Sequence, residues 1–533
     1  IDMVFNKKRA DDRKDWLGTY NRDTFLDTSN KSISYTEFIN KGLIHFSKYD
    51  CDRSIPNIMD GLKISLRKIL YSAFKRNLTS EIKVAQFSGY VSEHSGYHHG
   101  EQSLNAAIVG LAQNYVGSNN INLFMPNGQF GTRLQGGKDS ASERYIFTQL
   151  NSITRHIFQQ ADDQILKYLD DDGQQVEPIY YAPIIPMILV NGSTGIGTGF
   201  STNIISHNPR QVIQRLRNIL SNGGDAGGVT IEPYSEGFTG TIEWNDAEGK
   251  YIIAGKYDVI DATHVRITEL PLGTWTDDYK EYLEKCIDGG SGNSKSNQTT
   301  DIKSYVDMST DKKVDITVQF AKGAIAKLQG EKAQYDKCGL EKLLKMYTTH
   351  SRNNMYLFDA EEKLVKFDTA EQIMDAFIPK RAEMYAKRKA AQIAQLRNEL
   401  SVLSNKARFI TYNLEDKIDL RRKTDSEVTR ILEVHKFDRK DDSYNYLRKM
   451  PMDTVTKEKV DQLLKERDDK SAELSKLEAT TEKQIWINEL DNLLVEYDKF
   501  VASKNADMDS KDTTKKGVVR KTPIIKKNLK VKA

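Results

Sequence analysis

Tyr145 directly follows Arg144 at the end of the run PNGQFGTRLQGGKDSASERY (residues 126–145). A phenol is a weak nucleophile near neutral pH because its pKa is about 10. A guanidinium beside it stabilises phenolate and meets two oxygens of a phosphate under attack, so the pair is a candidate for covalent phosphoryl chemistry. Taken alone, a Tyr after an Arg is more often a packed surface residue. Three further runs share its basic surroundings: RSIPNIMDGLKISLRK (53–68), GYHHGEQSL (96–104) and NGSTGIGTGFST (191–202). Lys63, Arg67 and Lys68 fall on one short helix and form either a clamp for phosphates or an ordinary solvated basic face. Arg133 and Lys138 lie in the Gly-rich loop before Tyr145, where missing side chains let backbone amides approach phosphates. Ile196 stands between two glycines and by itself reads as a tight turn packed on a core.

The elements that must hold these residues are legible from periodicity and charge. Residues 57–74 have helical spacing at Leu62, Ile69, Leu70 and Phe74, and 102–115 is a second, Ala- and Leu-rich helix. Two short helices in a basic region suggest a helix-turn-helix. Residues 47–160 hold twelve Lys/Arg against eight acids, and 102–138 contains no acid at all, as a phosphate-facing surface requires. An uncharged Gly/Asn-rich core segment would show the same gap. Residues 229–320 alternate β-rich runs with turns, which predicts a mainly antiparallel sheet with helices, interrupted by a low-complexity loop at 289–298. From Ile393, the positions Leu396, Leu400, Leu403, Ala407 and Ile410 form a heptad seam on a helix spanning 377–410. A second helical stretch, 456–500, completes an antiparallel coiled-coil arm with a helical knob between. Residues 501–533 hold ten Lys/Arg against three acids and read as a basic disordered tail.

The net charge of +3 over 533 residues therefore hides a basic surface and tail offset by an acidic remainder. The most apolar stretch, 180–190, is broken by Pro183 and Pro186 and is too short to span a bilayer. Cys51, Cys286 and Cys338 are too few for a disulfide framework and suit a reducing compartment. The polar start at Ile1 reads as neither signal peptide nor natural N-terminus, so a fragment of a longer chain is expected.

The four motif runs together resemble the DNA breakage–reunion region of type IIA DNA topoisomerases, most closely the eukaryote type. The similarity continues through KKRADDRKDWL, VAQF, GLAQNYVGSNN, LNSITRHIF, PMILVNG, ITELPLGTWT and MPMDTVTKEKV. The resemblance implies that Tyr145 attacks DNA phosphorus and becomes joined to the 5′ end, that Arg144 stabilises the transition state, and that Arg53 and His99 also stand at the scissile phosphate. His99 either relays the phenolic proton or hydrogen-bonds a phosphate oxygen. It further implies DNA contacts at Tyr97, Ser103 and Trp275, besides Lys63, Arg67, Lys68, Arg133 and Lys138, and a DNA-bending wedge at Ile196. Ser140-Ala141-Ser142-Glu143 and Ile64-Ser65 depart from the family's usual residues.

The implied fold is α+β and multidomain. It has a post-toprim segment (1–45), a winged-helix, catalytic-tyrosine DNA-binding domain (46–210), an α/β tower domain (211–370), a coiled-coil arm (371–410 and 456–500), a dimerising gate knob (411–455) and the tail (501–533). No metal-ligand set of the chain's own is found. Mg2+ and ATP are expected to bind toprim and ATPase regions, in the same protein or a separate subunit. The expected partners are double-stranded DNA and a second copy of the chain, with no membrane. The short tail suits truncation or a large-DNA-virus enzyme, so the expected location is the nucleus for a cellular source and host cytoplasm or virion for a viral one. The competing reading is a non-catalytic, coiled-coil DNA-binding module. A tyrosine recombinase is disfavoured because no His-x-x-Arg lies near Tyr145.

Overall fold

The computed structural model describes every residue except 7, 22, 30, 289–300, 421, 422, 441, 452–455 and 511–533. The loop expected at 289–298 and most of the expected tail thus lie outside the described residues. The fold is mixed α+β.

Three helices carry the motif-bearing half: Ile64–Arg76, Val84–Ser95 and Glu101–Ala112. The middle one joins the two expected from the sequence. Its Val84, Phe87 and Val91 are fully buried at helical spacing, against Ile69 and Leu70 of the first helix and Leu104 and Ile108 of the third. The first helix starts later than its apolar pattern suggests. Gly61 makes the preceding turn with φ +66°, and a Cβ there would lie 2.5 Å from the Ile188 backbone nitrogen. A two-residue strand, Ile82–Lys83, pairs antiparallel with Phe147–Thr148 and ties the segment after Tyr145 to the second helix.

The hairpin Ser193–Gly197 and Phe200–Ile204 carries Ile196 at its exposed edge. It is extended into a four-stranded sheet by Met355–Phe358 and Leu364–Phe367. Those strands sit in the stretch assigned to 211–370, yet their Met355, Leu357 and Phe367 are buried in the motif-bearing half's core. The antiparallel sheet expected over 229–320 is present as two sheets. One orders Ile302–Asp307, Ile316–Phe320, His264–Glu269 and Lys256–Val259, and buries Val265, Ile267, Ile316 and Val318 against Tyr279 and Leu283 of the helix Thr276–Asp288. The other orders Tyr347–Ser351, Lys250–Ala254 and Thr241–Asn245.

The long helix runs Ala370–Leu414, beyond both expected ends, with the Thr369 side chain accepting from Gln372 N–H as its cap. Of the predicted seam, Leu396, Ala407 and Ile410 are buried and Ile393, Leu400 and Leu403 half-buried. The return path is two helices rather than one, Lys457–Ala479 and Glu482–Ser510. Thr481 caps the second by accepting from Gln484 N–H at 3.2 Å, which breaks the run. Arg397–Glu478 (2.8 Å) and Lys389–Glu482 (3.3 Å) bridge the long helix to its return path, which runs antiparallel. The last helix continues through Ser510, so the expected tail is helical over its first ten residues. Between the long helices, Phe409, Ile418, Val428, Leu432, Phe437 and Leu447 form a small core of their own.

Candidate nucleic-acid interface and active site

Tyr145 is held by its neighbours' backbones rather than by its own side chain. Ala85 N–H donates to Glu143 C=O and Val84 N–H to Ile146 C=O, each at 3.1 Å, so two first-turn donors of the helix Val84–Ser95 are satisfied by the residues around the tyrosine. Ile146 is buried, while the Tyr145 side chain is 76% exposed and makes no hydrogen bond or ring contact with any described residue. Arg144 is exposed and likewise unpaired. Among the described residues the Glu143 carboxylate accepts only from Ser142 Oγ, at 3.3 Å, and forms no ion pair with Arg144.

A second group gathers at the C-terminus of the helix Ile44–Ser54. The hairpin bearing Ile196 lies directly on it. A Cβ on Gly195 would fall 1.9 Å from Ser54 O, so close approach requires that glycine, and one on Gly197 would sit tightly, 3.1 Å from Cys51 Cα. Thr198 Oγ1 donates to Asp50 Oδ2 at 2.7 Å and fixes the hairpin tip. Ile196, between those glycines, is 81% exposed, which overturns its bland reading as a packed turn. Lys63 donates to Thr194 C=O at 2.8 Å, has no acidic partner among the described residues, and burial lowers its pKa from the usual lysine value. Arg53 is exposed and close enough to His99 for its charge to be felt there. The His99 pKa is lowered first by burial, then by Arg53, with His98 and Lys68 adding smaller like-charge effects. His99 Nε2 lies 2.9 Å from the hydroxyl of Tyr49, a residue that no sequence motif marks. No hydrogen bond, ion pair or ring contact among the described residues joins this group to Tyr145.

Five expected DNA contacts are placed differently. Arg67 is buried and donates twice to Asp60, at 2.6 and 3.1 Å, and to Leu62 C=O at 2.9 Å, so its charge is consumed inside the fold. Lys68 pairs with buried Glu177 at 2.8 Å. Arg133 is buried against Glu269. Tyr97 belongs to the core, with its ring edge-on to His99 at 5.3 Å. Trp275 is half-buried under the Gly-rich loop, where a Cβ on Gly136 would come 2.3 Å from its Nε1. These residues support the surface. Ser103, in the first turn of Glu101–Ala112, and Lys138 are exposed as expected.

The cations thus divide by neutralisation, and only unpaired ones can gain from meeting phosphate. Arg53→Ala is expected to leave the thermal midpoint unchanged and to reduce the slope of log affinity against log salt by about 1. Duplex-binding titrations at several salt concentrations check this; an unchanged slope would remove Arg53 from the interface.

Comparison with known proteins adds an independent line. A family model for the A-subunit of DNA gyrase/topoisomerase IV matches residues 53–491, and one described as the C-terminal associated domain of TOPRIM matches 1–51. DNA topoisomerase 2 of Arabidopsis thaliana is 41% identical over 94% of this chain and 36% of its own length. The Acanthamoeba polyphaga mimivirus DNA topoisomerase 2 is 38% identical over 93% of this chain and 43% of its own. The chain therefore spans well under half of these relatives. A crystal structure of the Plasmodium falciparum topoisomerase II DNA-binding, cleavage and re-ligation domain superposes with TM-score 0.84 at 38% identity, over 95% of this chain and 70% of that one.

Proposed function

Because the chain belongs to the DNA gyrase/topoisomerase IV A-subunit family, we propose that it is the DNA cleavage and religation core of a type II DNA topoisomerase. The observation that carries this is Tyr145: exposed, free of internal partners, beside unpaired Arg144, on a backbone anchored to a helix start. In this reading Tyr145 Oη gives its proton to solvent as it attacks phosphorus, the P–O3′ bond breaks, and the released 3′ oxygen takes a proton from solvent in return. The 5′ phosphate stays on the tyrosine. One phosphodiester replaces another, so resealing needs no outside energy. Arg144 and Arg53 offset the charge that builds on the phosphate oxygens, and His99 hydrogen-bonds there. Lys63, Lys138 and Ser103 hold the backbone, while Arg67, Lys68, Arg133, Tyr97 and Trp275 brace the elements beneath.

The finer architecture follows the same reading. The three helices and the Ile196 hairpin form a winged-helix domain within 46–210, completed by the strands Met355–Phe358 and Leu364–Phe367, and the rest of 211–370 is the tower. The long helices are a coiled-coil arm, and the 411–455 knob is the gate of a homodimer. Among the described residues no group of three His, Cys, Asp or Glu side chains is placed to hold a metal ion, so no step is assigned to Mg2+ on this chain. Mg2+ and ATP would enter with toprim and ATPase regions, in the same protein or a separate subunit. No described helix is long and apolar enough to cross a membrane. Nuclear or viral-host location follows the source.

The test joins the chain to its metal- and ATP-binding parts, supplies supercoiled plasmid, and traps the reaction with denaturant. A 5′-linked protein–DNA adduct is expected; a DNA-binding module would give none. Ile196→Ala is expected to lower the bent fraction of a dye-labelled duplex and to weaken binding roughly tenfold, because the exposed wedge that unstacks a base step is gone. Energy transfer between duplex ends reports the bend, and unchanged bending would remove the wedge role.

A further inference from the structure

Tyr49 lies outside the motif runs, on the exposed side of the helix Ile44–Ser54, four residues before Arg53. Residues i and i+4 share one helix face, so Tyr49 and Arg53 approach His99 from the same side. The Tyr49 hydroxyl lies 2.9 Å from His99 Nε2, and their rings are 6.0 Å apart. The Tyr97 ring also meets His99, edge-on at 5.3 Å. The imidazole contacts two tyrosines, one of which reaches a ring nitrogen. His99 Nδ1 has no hydrogen-bond partner among the described residues.

Which atom donates follows from proton affinity. A phenol O–H is a much stronger acid than a neutral imidazole N–H, and an imidazole lone pair is a better acceptor than a phenol oxygen. The favoured bond therefore runs from Tyr49 O–H to Nε2, which puts the imidazole proton on Nδ1. We propose that Tyr49 is the positioning residue of His99: its hydroxyl fills the Nε2 lone pair, so that His99 meets the scissile phosphate as an Nδ1–H donor and not as the base that takes the Tyr145 proton. This rests on the placement of His99 at that phosphate. It also separates the two roles that the motif left open, because a nitrogen already accepting one proton is not free to accept another. The neutral state this needs is favoured by burial and by the nearby positive charge of Arg53 and Lys68. No described carboxylate contacts His99. Asp171 reaches His98 instead, at 3.6 Å.

The sign of the titration is fixed by the same bond. A hydrogen bond donated to the neutral ring disfavours protonation, so removing it raises the pKa. Nitrogen-15 NMR of histidine-labelled chain should show His99 as the Nδ1–H tautomer. In Tyr49→Phe, which keeps the ring and loses only the hydroxyl, His99 should titrate roughly 0.5–1 pH unit higher and lose that tautomer preference. In the complete enzyme Tyr49→Phe should lower the cleavage rate about tenfold with duplex affinity unchanged. His99→Ala separates the two layers. If His99→Ala cleaves like the parent, the placement of His99 at the phosphate fails, and the role of Tyr49 with it. If His99→Ala is impaired while Tyr49→Phe matches the parent in tautomer, titration and cleavage, the placement stands and Tyr49 has no part in it. An Nε2–H tautomer in the parent chain overturns the proposal directly.

Discussion

Tyr145→Phe is expected to abolish the covalent protein–DNA adduct while leaving duplex binding and stability intact. The substitution removes one oxygen from a side chain that is 76% exposed and has no internal partner, so the fold loses nothing it uses. A surface change of this kind stays within about 0.5 kcal/mol. The chemistry loses the atom that forms the new bond, and nucleophile deletions of this class cost on the order of 10⁴–10⁶ in rate. Arg144→Ala should be milder, roughly 10²–10³, because it weakens charge stabilisation and leaves the nucleophile in place. The measurement is adduct yield against time after denaturant trapping, alongside duplex affinity for each variant. If Tyr145→Phe gave the parental yield, the nucleophile would be another residue. If it lost duplex binding equally, Tyr145 would be a contact residue and the assignment as nucleophile would lose its support.

The elements of this site were legible to different degrees. Tyr145, Arg144, Arg53 and Ile196 stand out because their motifs put unusual neighbours together, and all four side chains are exposed. The clamp read from Lys63, Arg67 and Lys68 illustrates what spacing leaves out. Helical periodicity says that side chains share a face, and says nothing of which acids arrive from elsewhere. Asp60 reaches Arg67 from seven residues away, Glu177 reaches Lys68 from 109, and Glu269 reaches Arg133 from 136. Two of these three partners come from strands whose placement only tertiary packing decides. The glycines around Ile196 had the same ambiguity. Whether they let a turn pack or let a hairpin lie on a helix depends on Ser54 and Cys51, which no local rule connects to them.

Other misses carried a local signal. Val84, Phe87 and Val91 already have helical spacing, and Gly89 sits where a Cβ would meet nothing within 4 Å, so the middle helix was readable through its glycine. The break in the return helix was written as Thr481 three residues before Gln484, a capping signature inside an otherwise uninterrupted charged run. Tyr49 had no signal of its own. Its significance comes only from meeting His99 across fifty positions of sequence.

Asp162→Ala is expected to be strongly destabilising, and it tests how the long helices are fixed to the motif-bearing half. Asp162 is buried and accepts from Arg381 Nη1 and Nη2 at 3.1 and 2.7 Å and from Arg388 Nη1 at 3.4 Å. Arg388 also donates to Glu489 Oε1 at 2.6 Å, and Tyr385 O–H to Glu489 Oε2 at 2.6 Å. Trp486 stacks on Tyr385 at 5.0 Å and donates to Ile184 C=O at 2.9 Å. Two arginines and two carboxylates thus balance at the junction of Ala370–Leu414, Glu482–Ser510 and the segment around 162. Removing Asp162 leaves Arg381, which is fully buried, without its hydrogen-bonded carboxylate, and breaking a buried pair in this way costs about 3–5 kcal/mol. Asp162→Asn keeps the shape and part of the hydrogen bonding and should cost less. Arg397→Ala, which breaks an exposed bridge to Glu478 on the same long helix, should cost no more than about 1 kcal/mol. Urea unfolding followed by Trp486 fluorescence orders the three variants, and hydrogen exchange across 370–390 reports whether the helix root loosens. Equal midpoints for Asp162→Ala and Arg397→Ala would show that apolar packing around Trp486, Tyr385 and Phe377 holds the root without help from the charges. A root that loosens only in Asp162→Ala would make the charge cluster the joint that fixes the long helices to the segment around 162.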